Sequence, residues 1–363
     1  MKQASLSPIK TIIDQAKKGK IFILVDNKNR ENEGDLVIPA SKANSKSINF
    51  MAKHGRGLIC LALTKKQVDK LGLPLMSAVN KARMQTAFTV SIEARKGITT
   101  GISAFDRAKT IKSAININAK KKDIVSPGHI FPLVARNGGV LERAGHTEAS
   151  VDISKLAKLN PSSVICEVMN EDGRMARLDD LKKFAFKHKI KIGSIEDLIS
   201  YRLKNEKLIF LDDEKKINFK KIGSFQVKIF KNKLDNQHHY AITKGNLSPG
   251  KKVRVRVLSV ENPKKLINTK KKIFIKTISY LNKFNNFVLI LIKNNNSKLI
   301  TGETIDSTNI LRYYGIGAQI IKELKVKNMI LVSRAKKKII GLDGYGIKIV
   351  NQEIIKWKKQ KFV

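Results

Sequence analysis

The sequence predicts a layered α/β or α+β fold that is divided between two domains. Apolar, β-branched runs of strand length alternate along the chain with segments of helical periodicity, and this alternation is typical of domains that layer helices on a sheet. The chain has 363 residues, of which 42% are hydrophobic. It is therefore too long for one ordinary domain, and it is apolar enough to build two cores.

The first domain opens with a helix and a buried strand. Ser7 and Pro8 predict the helix start, because serine caps helices and proline suits the first helical position. Gly19 predicts the helix end. The apolar run 21–25 predicts a buried strand, and the charged loop 26–35 follows it. Further strands are predicted at 36–38, 58–63, 87–92 and 164–168, and helices near 65–71, 104–115 and 178–188.

The first pattern ends at residue 203, and a second pattern begins at residue 225. Between them, residues 204–221 are charged and of low complexity, which predicts a bridge. We therefore place one domain at 1–203 and a second, smaller α/β domain at 204–363. Its predicted strands are 225–230, 240–243, 253–260, 287–292 and 329–332, and its predicted helix carries Ile316, Ile320, Ile321 and Leu324 on one face.

Cysteine content and hydropathy exclude several classes of protein. Two cysteines, Cys60 and Cys166, are too few for a disulfide framework or a cysteine-rich zinc site. The longest apolar run, 287–292, is far shorter than the roughly 20 residues that span a bilayer. The N-terminus also lacks the apolar core and the cleavage site of a signal peptide. We therefore expect a cytoplasmic protein with no membrane partner.

The net charge of +42 raises the hypothesis of a nucleic-acid-binding protein. The excess charge is spread over the whole chain, mostly as lysine among isoleucine and asparagine, and only 6% of the residues are aromatic. Stacking on bases needs aromatic side chains, and no recognition motif is present. We therefore predict no specific nucleic-acid partner, and steep salt-dependent binding would be the sign of the alternative.

Two polar constellations are candidates for chemistry. Arg30-Glu31-Asn32-Glu33-Gly34-Asp35 packs three carboxylates and a guanidinium directly after the first strand. Carboxylates so close together raise one another's pKa unless a cation offsets them, and Mg²⁺ prefers such oxygens. A solvated turn remains an equally open interpretation of these six residues alone.

The second constellation, Arg143-Ala144-Gly145-His146-Thr147-Glu148, combines a guanidinium, a glycine, an imidazole and a hydroxyl. This mixture suits a phosphate group and also offers a metal ligand. Ser126-Pro127-Gly128-His129 predicts a second histidine on a rigid turn, and histidine carries protons near neutral pH. Thr99-Thr100-Gly101-Ile102-Ser103 adds hydroxyls around a glycine.

Four long segments resemble the signature segments of the 3,4-dihydroxy-2-butanone 4-phosphate synthase family. They occur in the family's order across residues 6–203: VDNKNRENEGDLVIPA, TTGISAFDRA, DIVSPGHIFPLVARNGGVLERAGHTEASVDI and CEVMNEDGRMAR. The resemblance implies a three-layer sandwich with a mixed sheet, and a homodimer that contains Mg²⁺ or Mn²⁺, with two ions per subunit. It also implies a lyase of riboflavin biosynthesis that converts D-ribulose 5-phosphate to 3,4-dihydroxy-2-butanone 4-phosphate and formate.

The resemblance also implies roles for individual residues. Glu31 and His146 would be the metal ligands, with Glu33 as a further contributor. His129, Glu167 and Asp35 would be the catalytic acids and bases, and which of them takes the first proton stays open. Cys60, Thr100 and Ser103 would line the pocket. The substrate would contact Arg30, Glu31, Asp35, Arg143, Ala144, Gly145, His146, Thr147 and Glu167. The chain departs from the family at Asn27, usually acidic, and at Phe105, usually smaller.

The second domain resembles GTP cyclohydrolase II, which is fused to this synthase in many bacteria, but it is degenerate. After Val257-Leu258-Ser259 the family places three zinc-binding cysteines, where this chain has Val260-Glu261-Asn262-Pro263. We therefore expect no zinc. His238 and His239 are adjacent on a predicted strand, point to opposite faces and substitute poorly for the thiolates. We predict an inactive domain that packs, dimerises or binds a partner; the alternative is a bifunctional enzyme that retains GTP cyclohydrolase II activity.

Overall fold

The structure, a computed structural model, describes residues 4–28, 30–81, 84–219, 222–269, 272–294, 307–335 and 345–355. The chain divides into two compact units, Met1–Tyr201 and Arg202–Val363, close to the boundary predicted after residue 203. Among the described residues, no helix is both long and apolar enough to cross a membrane.

The first unit is built on a seven-stranded mixed sheet, with the strands in the order β4-β5-β3-β6-β2-β1-β7. The pairs β1–β7 and β3–β5 are parallel, and the other neighbours are antiparallel. The elements are α1 Ile9–Lys17, β1 Phe22–Val25, β2 Gly34–Pro39, α2 Ser45–Phe50, β3 Cys60–Thr64, α3 Lys65–Leu71, β4 Ile92–Ala94, α4 Ala104–Ile115, β5 Ile124–Ala135, α5 His146–Leu156, β6 Ser163–Glu167, α6 Leu178–His188, β7 Lys191–Ser194 and α7 Ile195–Asn205.

Helices cover both faces of this sheet. On one face, sheet residues such as Ile23 and Leu36 share a core with Ile48 of α2, Ile111 of α4 and Leu181 of α6. On the other face, Ala62 and Ala135 pack against Val151 of α5, and α1 lies beside α5. Alternate residues of a strand point to opposite faces, so β3 places Leu61 and Leu63 in the first core and Ala62 in the second. The expected three-layer sandwich with a mixed sheet is confirmed.

Local expectations at the start of the chain need one correction. No side chain caps α1, which begins at Ile9 directly after Pro8. The Ser7 backbone N–H instead donates to the Ile192 carbonyl at 2.7 Å, so Ser7 ties the chain to β7. Gly19 does end the helix, with φ +65°.

Two elements near the candidate site were not predicted. The Ser126–His129 segment, expected as a turn, lies inside the twelve-residue strand β5. The strand predicted at 87–92 is wrong in its bounds, because β4 spans Ile92–Ala94. Within the predicted range, Phe88 and Thr89 make only isolated bridges, to Leu133 and Leu75. Helix α5 starts at His146, where a polar turn was expected, and its residues 146–154 are all buried. A helix buried on every side has no amphipathic stripe to reveal it.

The second unit has its own seven-stranded sheet, in the order β14-β13-β11-β12-β10-β9-β8. Its elements are β8 Ile209–Phe219, β9 Gly223–Asn232, β10 His238–Lys244, β11 Lys252–Val260, α8 Pro263–Thr269, α9 Lys272–Leu281, β12 Phe287–Lys293, α10 Ser307–Glu323, β13 Asn328–Ser333 and β14 Lys348–Ile354. Phe274 and Ile278 of α9 pack on Leu289 and Leu291 of β12. The bridge predicted at 204–221 is wrong, because most of it forms the edge strand β8, whose side chains are largely exposed. Exposure explains its charged sequence.

Candidate active site and metal centre

The acidic loop between β1 and β2 is folded around Asp26. One carboxylate oxygen of Asp26 accepts the Glu31 backbone N–H at 3.0 Å, and the other accepts the Glu33 N–H at 2.8 Å. Arg30 lies over the same group, with Nη1 3.0 Å from Asp26 Oδ2 and 2.6 Å from Glu31 Oε2. The loop is therefore a defined structure rather than a solvated turn.

His146 faces this loop from the first turn of α5. Its ring is 7% exposed, with Nδ1 3.6 Å from Glu31 Oε2 and Nε2 3.9 Å from Asp35 Oδ1. Both distances exceed those of a hydrogen bond. Within the described part of the chain, Nε2 is buried with no hydrogen-bond partner. An unsatisfied buried nitrogen between two carboxylates is an arrangement that a cation would complete.

Ligand atoms of Asp26, Glu31 and His146 lie within 4.8 Å of one another. Carboxylate oxygens suit Mg²⁺ and Mn²⁺, and an imidazole is a common further ligand. The residues present, including the unpartnered Nε2 of His146, therefore fit a divalent ion. Glu31 and His146 were predicted as ligands and lie together; Asp26 was missed. The sequence signal that could have identified Asp26 as a ligand is its position directly after the buried strand β1.

Strong electrostatic coupling marks the centre. Burial raises the pKa of Asp35, and Glu167, Glu31 and Glu33 raise it further, against the opposing effect of His146. Burial alone would lower the pKa of His146, but Asp35, Glu31 and Asp26 raise it overall. Burial also works to raise the pKa of Glu31, yet His146 and Arg30 outweigh it and bring the value to about 2. Burial and then Glu31 raise the pKa of Glu33.

Asp35 and Glu167 are cross-strand partners at the ends of β2 and β6. Glu167 Oε2 accepts the Leu58 backbone N–H at 2.9 Å, which orients the carboxylate. Cys60, predicted to line the pocket, begins β3 and is buried. Burial first, and then Glu167 and Asp35, raise the pKa of its thiol well above the usual range. Cys60 therefore stays protonated and is not a nucleophile.

Arg143 is held by a network of its own. Its Nη1 donates to Glu148 Oε2 at 2.6 Å, and its Nη2 donates to the Met84 carbonyl and to Thr86 Oγ1, each at 3.0 Å. Glu148 is 1% exposed and was not predicted. Gly145 precedes α5, and a Cβ there would lie 2.3 Å from Arg143 Nη1. Ala144 and Thr147 are buried in the same segment.

The other predicted residues lie elsewhere in the first unit. His129 is on β5 and is hydrogen-bonded through Nδ1 to Glu93. Among the described residues, no hydrogen bond or ion pair joins it to Glu31 or His146. Ser103 does not present its hydroxyl freely, because Oγ accepts the Asp106 N–H and caps α4. Thr100 is exposed.

The two departures from the family pattern also have defined surroundings. Asn27 Nδ2 donates to Glu196 Oε2 at 3.4 Å, whereas Phe105 is 75% exposed.

Arg177, just before α6, is a further residue that the sequence did not reveal. Its Nη1 donates to the Glu31 carbonyl at 2.8 Å and to the Asn32 carbonyl at 2.7 Å, and it lies 3.6 Å from Glu33 Oε1. Arg177 thereby fixes the backbone of the acidic loop. It closes the motif CEVMNEDGRMAR, but nothing in its spacing points to a loop 146 residues earlier.

In the second unit, the two adjacent histidines do point to opposite faces of β10. His238 is partly exposed and lies 3.0 Å from Asp212 Oδ2. His239 is 1% exposed, and its Nδ1 accepts the Lys293 N–H at 3.1 Å. Burial lowers the pKa of His239 to about 4, so the ring is neutral at pH 7.

Comparison with known proteins agrees with this fold and site. Residues 10–201 match the family described as 3,4-dihydroxy-2-butanone 4-phosphate synthase, and residues 276–353 match GTP cyclohydrolase II. A 3,4-dihydroxy-2-butanone 4-phosphate synthase from Photobacterium phosphoreum is 42% identical over 358 residues, which cover 95% of this chain and 98% of that protein.

Two solved structures are also similar. RibBX, a two-domain 3,4-dihydroxy-2-butanone 4-phosphate synthase from A. baumannii, is 38% identical with a TM-score of 0.82, covering 97% of this chain and 100% of that chain. A 3,4-dihydroxy-2-butanone 4-phosphate synthase in complex with two magnesium ions is 37% identical with a TM-score of 0.53, covering 55% of this chain and 98% of that chain.

Fold and site together define a layered α/β enzyme whose candidate metal centre combines carboxylates with a histidine. The chain belongs to the 3,4-dihydroxy-2-butanone 4-phosphate synthase family, and it is an enzyme of riboflavin biosynthesis. The family resemblance inferred from the motifs is thus confirmed, together with a second domain that resembles GTP cyclohydrolase II.

Proposed function

We propose that residues 1–203 form a lyase that converts D-ribulose 5-phosphate to 3,4-dihydroxy-2-butanone 4-phosphate and formate. The observation that carries this proposal is the convergence of Glu31 and Asp35 on His146, at 3.6 Å from Nδ1 and 3.9 Å from Nε2 respectively. These residues come from two of the four segments that resemble the family.

Glu31 and His146 are the proposed ligands of Mg²⁺ or Mn²⁺, and Asp26 is added to them because it shares the cluster. Two ions per subunit remain the proposal, which a relative that binds two magnesium ions supports. When bound, the divalent ion supplies Lewis-acid stabilisation of negative charge on the sugar's oxygen atoms. Arg30 neutralises part of the remaining acidic charge through Asp26 and Glu31.

Asp35, Glu167 and His129 are the proposed proton carriers. The reaction requires enolisation next to a ketone, loss of a hydroxyl, a carbon shift and release of formate, and each of these steps moves protons. General acids and bases work best when their pKa is near the working pH, and the raised pKa of Asp35 suits this role. Glu167 lies beside Asp35 in the sheet. Its own carboxylate is oriented by the hydrogen bond from the Leu58 N–H.

The substrate's phosphate is proposed to bind at the segment from Arg143 to Thr147. This segment brings a guanidinium, a hydroxyl and the N-terminal end of α5 together, and all three favour anions. Arg143 is oriented for such a role by Glu148. Arg30, Glu31, Asp35, His146 and Glu167 would contact the sugar.

Activity and metal dependence test the proposal. Purified full-length protein with Mg²⁺ is expected to release formate from ribulose 5-phosphate, and EDTA should abolish this release. Glu31→Gln and His146→Ala should each lower kcat/KM by about a hundredfold or more, because each removes a metal ligand. Glu171→Gln is the matched control, since Glu171 is 86% exposed. Folded protein without turnover would refute the assignment.

The second domain is proposed to lack GTP cyclohydrolase II activity. No cysteine is present beyond residue 166, so a three-thiolate zinc site cannot form there. His239, the buried histidine of β10, already accepts a backbone hydrogen bond. The full chain should contain no stoichiometric zinc by metal analysis and should not consume GTP. GTP turnover with bound zinc would favour the bifunctional alternative instead.

A homodimer is proposed as the working unit of the first domain. Several large apolar side chains of this unit are more than half exposed, and apolar exposure of this kind marks interaction surfaces. They are Leu75, Met76, Val79, Ile102, Phe105, Ile117 and Phe186. Sedimentation equilibrium should give twice the mass of 40.7 kDa, and a monomer at micromolar concentration would contradict the proposal.

A further inference from the structure

We infer that Glu93 is the positioning residue of His129, and that the motif Thr99-Thr100-Gly101 exists to hold Glu93 in place. The inference rests on the proposed catalytic role of His129. It explains two features that the proposed reaction does not: the glycine-centred motif before α4, and the largely buried carboxylate of Glu93 on the short edge strand β4.

Glu93 contacts His129 directly. Its Oε1 is hydrogen-bonded to Nδ1 of the imidazole, and its side chain is 16% exposed, whereas that of His129 is 43% exposed. Strand β4 pairs with β5 antiparallel, but the register shifts between Ile92 and Glu93. Such an irregularity re-aims a side chain at a sheet edge. Here it accompanies a Glu93 side chain that reaches His129, although Glu93 pairs with Val125 in the ladder.

Two glycines make the space that Glu93 occupies. A Cβ on Gly101 would lie 1.7 Å from Glu93 Oε1, and one on Gly128 would lie 2.4 Å from Glu93 Cγ. Gly101 also has φ +89°, a conformation that side chains disfavour. Glu93 can therefore lie against His129 only because both neighbouring positions have no side chain.

The loop that carries Gly101 is itself anchored. Asp106, in the first turn of α4, accepts hydrogen bonds from Thr99 Oγ1 at 2.7 Å, from the Thr99 N–H at 3.2 Å and from the Gly101 N–H at 3.1 Å. Ser103 caps the same helix. The hydroxyl, glycine and acid of TTGISAFDRA thus form a fixed loop that packs beside Glu93.

A carboxylate on Nδ1 determines what the other ring nitrogen can do. When the neutral ring donates Nδ1–H to Glu93, the lone pair of Nε2 is free to accept a proton from the substrate. The imidazolium that results is then stabilised by the Glu93 charge. The partial exposure of His129 leaves the ring accessible from the solvent side. Glu93 therefore acts through His129 and has no contact with substrate of its own.

Substitution of Glu93 in the full chain tests the inference. Glu93→Leu is expected to lower kcat by about 10- to 100-fold, the usual cost of losing an orienting carboxylate, with little change in KM. Glu93→Gln keeps an acceptor for Nδ1–H without the charge, so it should retain part of the lost kcat. Circular dichroism and thermal unfolding of each variant establish that the fold is intact.

Nitrogen-15 NMR of histidine-labelled protein gives a readout that is independent of turnover. With Glu93 present, His129 should occur as the Nδ1–H tautomer, with His129→Gln used to assign its signals. In Glu93→Leu the ring should shift toward the Nε2–H tautomer. An unchanged tautomer together with unchanged kcat would overturn the inference. Full activity of His129→Gln would instead refute the proposed role of His129 itself, whatever the tautomer.

Gly101→Ala offers a second test with a matched control. Gly97 also has a positive φ, +76°, but a Cβ there would meet only Lys109, at 3.1 Å from Cε. Both substitutions strain the backbone, and only Gly101→Ala displaces Glu93. Gly101→Ala should therefore reproduce the kcat loss and the tautomer change of Glu93→Leu, while Gly97→Ala should leave both as in the unsubstituted chain. Equal effects of the two alanines would contradict the inference.

Discussion

At the scale of single residues, His146 is the group on which the charges of the acidic site converge. It is a buried imidazole with a carboxylate facing each ring nitrogen, and neither separation is short enough for a hydrogen bond. A protonated ring relieves the repulsion among the acidic groups, and a bound cation would do the same. The two charges compete for one position, so proton and metal binding are coupled there.

This coupling predicts a pH-dependent metal affinity. Burial would lower the pKa of His146, but Asp35, Glu31 and Asp26 outweigh it and raise the pKa to about 9. The metal-free ring therefore holds its proton at neutral pH and must release it to bind an ion. Lowering the pH from 8.5 to 6.5 should therefore weaken Mn²⁺ binding about tenfold per unit, by one proton per ion. Electron paramagnetic resonance of free Mn²⁺ measures this directly. A pH-independent affinity would contradict the coupling.

Arg177 gives a second prediction at this scale. Because it holds the carbonyls of Glu31 and Asn32, Arg177→Met should loosen the acidic loop and lower metal affinity and kcat/KM by about 10- to 100-fold. Arg174→Met is the matched control. The Arg174 side chain is 87% exposed, and among the described residues its one ion pair is with Asp172. Equal activity of the two variants would count against a positioning role for Arg177.

At the scale of elements, the site is assembled where strand ends and one helix start meet. Asp35, the second residue of β2, lies next to Glu167 at the end of β6, and α5 places His146 in its first turn. Strands and helix ends are rigid compared with loops, so the distances between these side chains are set by the sheet. The acidic loop is irregular, but Asp26 and Arg177 hold its backbone in place.

Gly57, in the connection between α2 and β3, is predicted to tolerate no side chain without loss of activity. A Cβ on Gly57 would lie 2.5 Å from Glu167 Oε2 and 2.6 Å from the Glu167 carbonyl, so Gly57→Ala must displace a proposed catalytic group. A displacement on the order of 1 Å can lower kcat/KM by about 100-fold. Gly250→Ala, with no atom within 4 Å of its Cβ, should have no effect. Undiminished turnover in Gly57→Ala, measured alongside thermal stability, would refute this role for Glu167.

Sequence patterns identified some elements of this fold and missed others for physical reasons. Helices α1, α4 and α6 each bury one face, and the resulting periodicity was visible. Helix α5 is buried almost throughout, and β5 contains Pro127 and Gly128 within its length. Neither shows the alternation of apolar and polar residues on which such predictions depend.

At the scale of the whole molecule, the net charge of +42 is spread along the whole sequence rather than concentrated in one segment. We expect any binding of DNA or RNA to be sequence-blind and to depend on counterion release. Fluorescence anisotropy should detect binding at 50 mM salt and lose it by 200 mM, with equal affinity for unrelated sequences. Tight, sequence-selective binding at 200 mM would indicate a nucleic-acid function instead.

The sequence by itself determined the family, the division into two domains and the acidic loop with its distant histidine. It also determined the absence of cysteines from the second domain. These properties are carried by contiguous segments or by composition, so no folding is needed to recognise them. The predicted ligands Glu31 and His146 belong to such segments.

Only the tertiary structure decided which partners support these residues. Asp26 joins the metal cluster, Arg177 holds a loop 146 positions away, and Glu93 reaches His129 from 36 positions away. The contacts of Arg177 and Glu93 are hydrogen bonds between segments that are distant in the sequence, and Asp26 lies near His146 only because the chain is folded. Periodicity records which face of an element is apolar, but it contains no information about which polar groups will meet across strands.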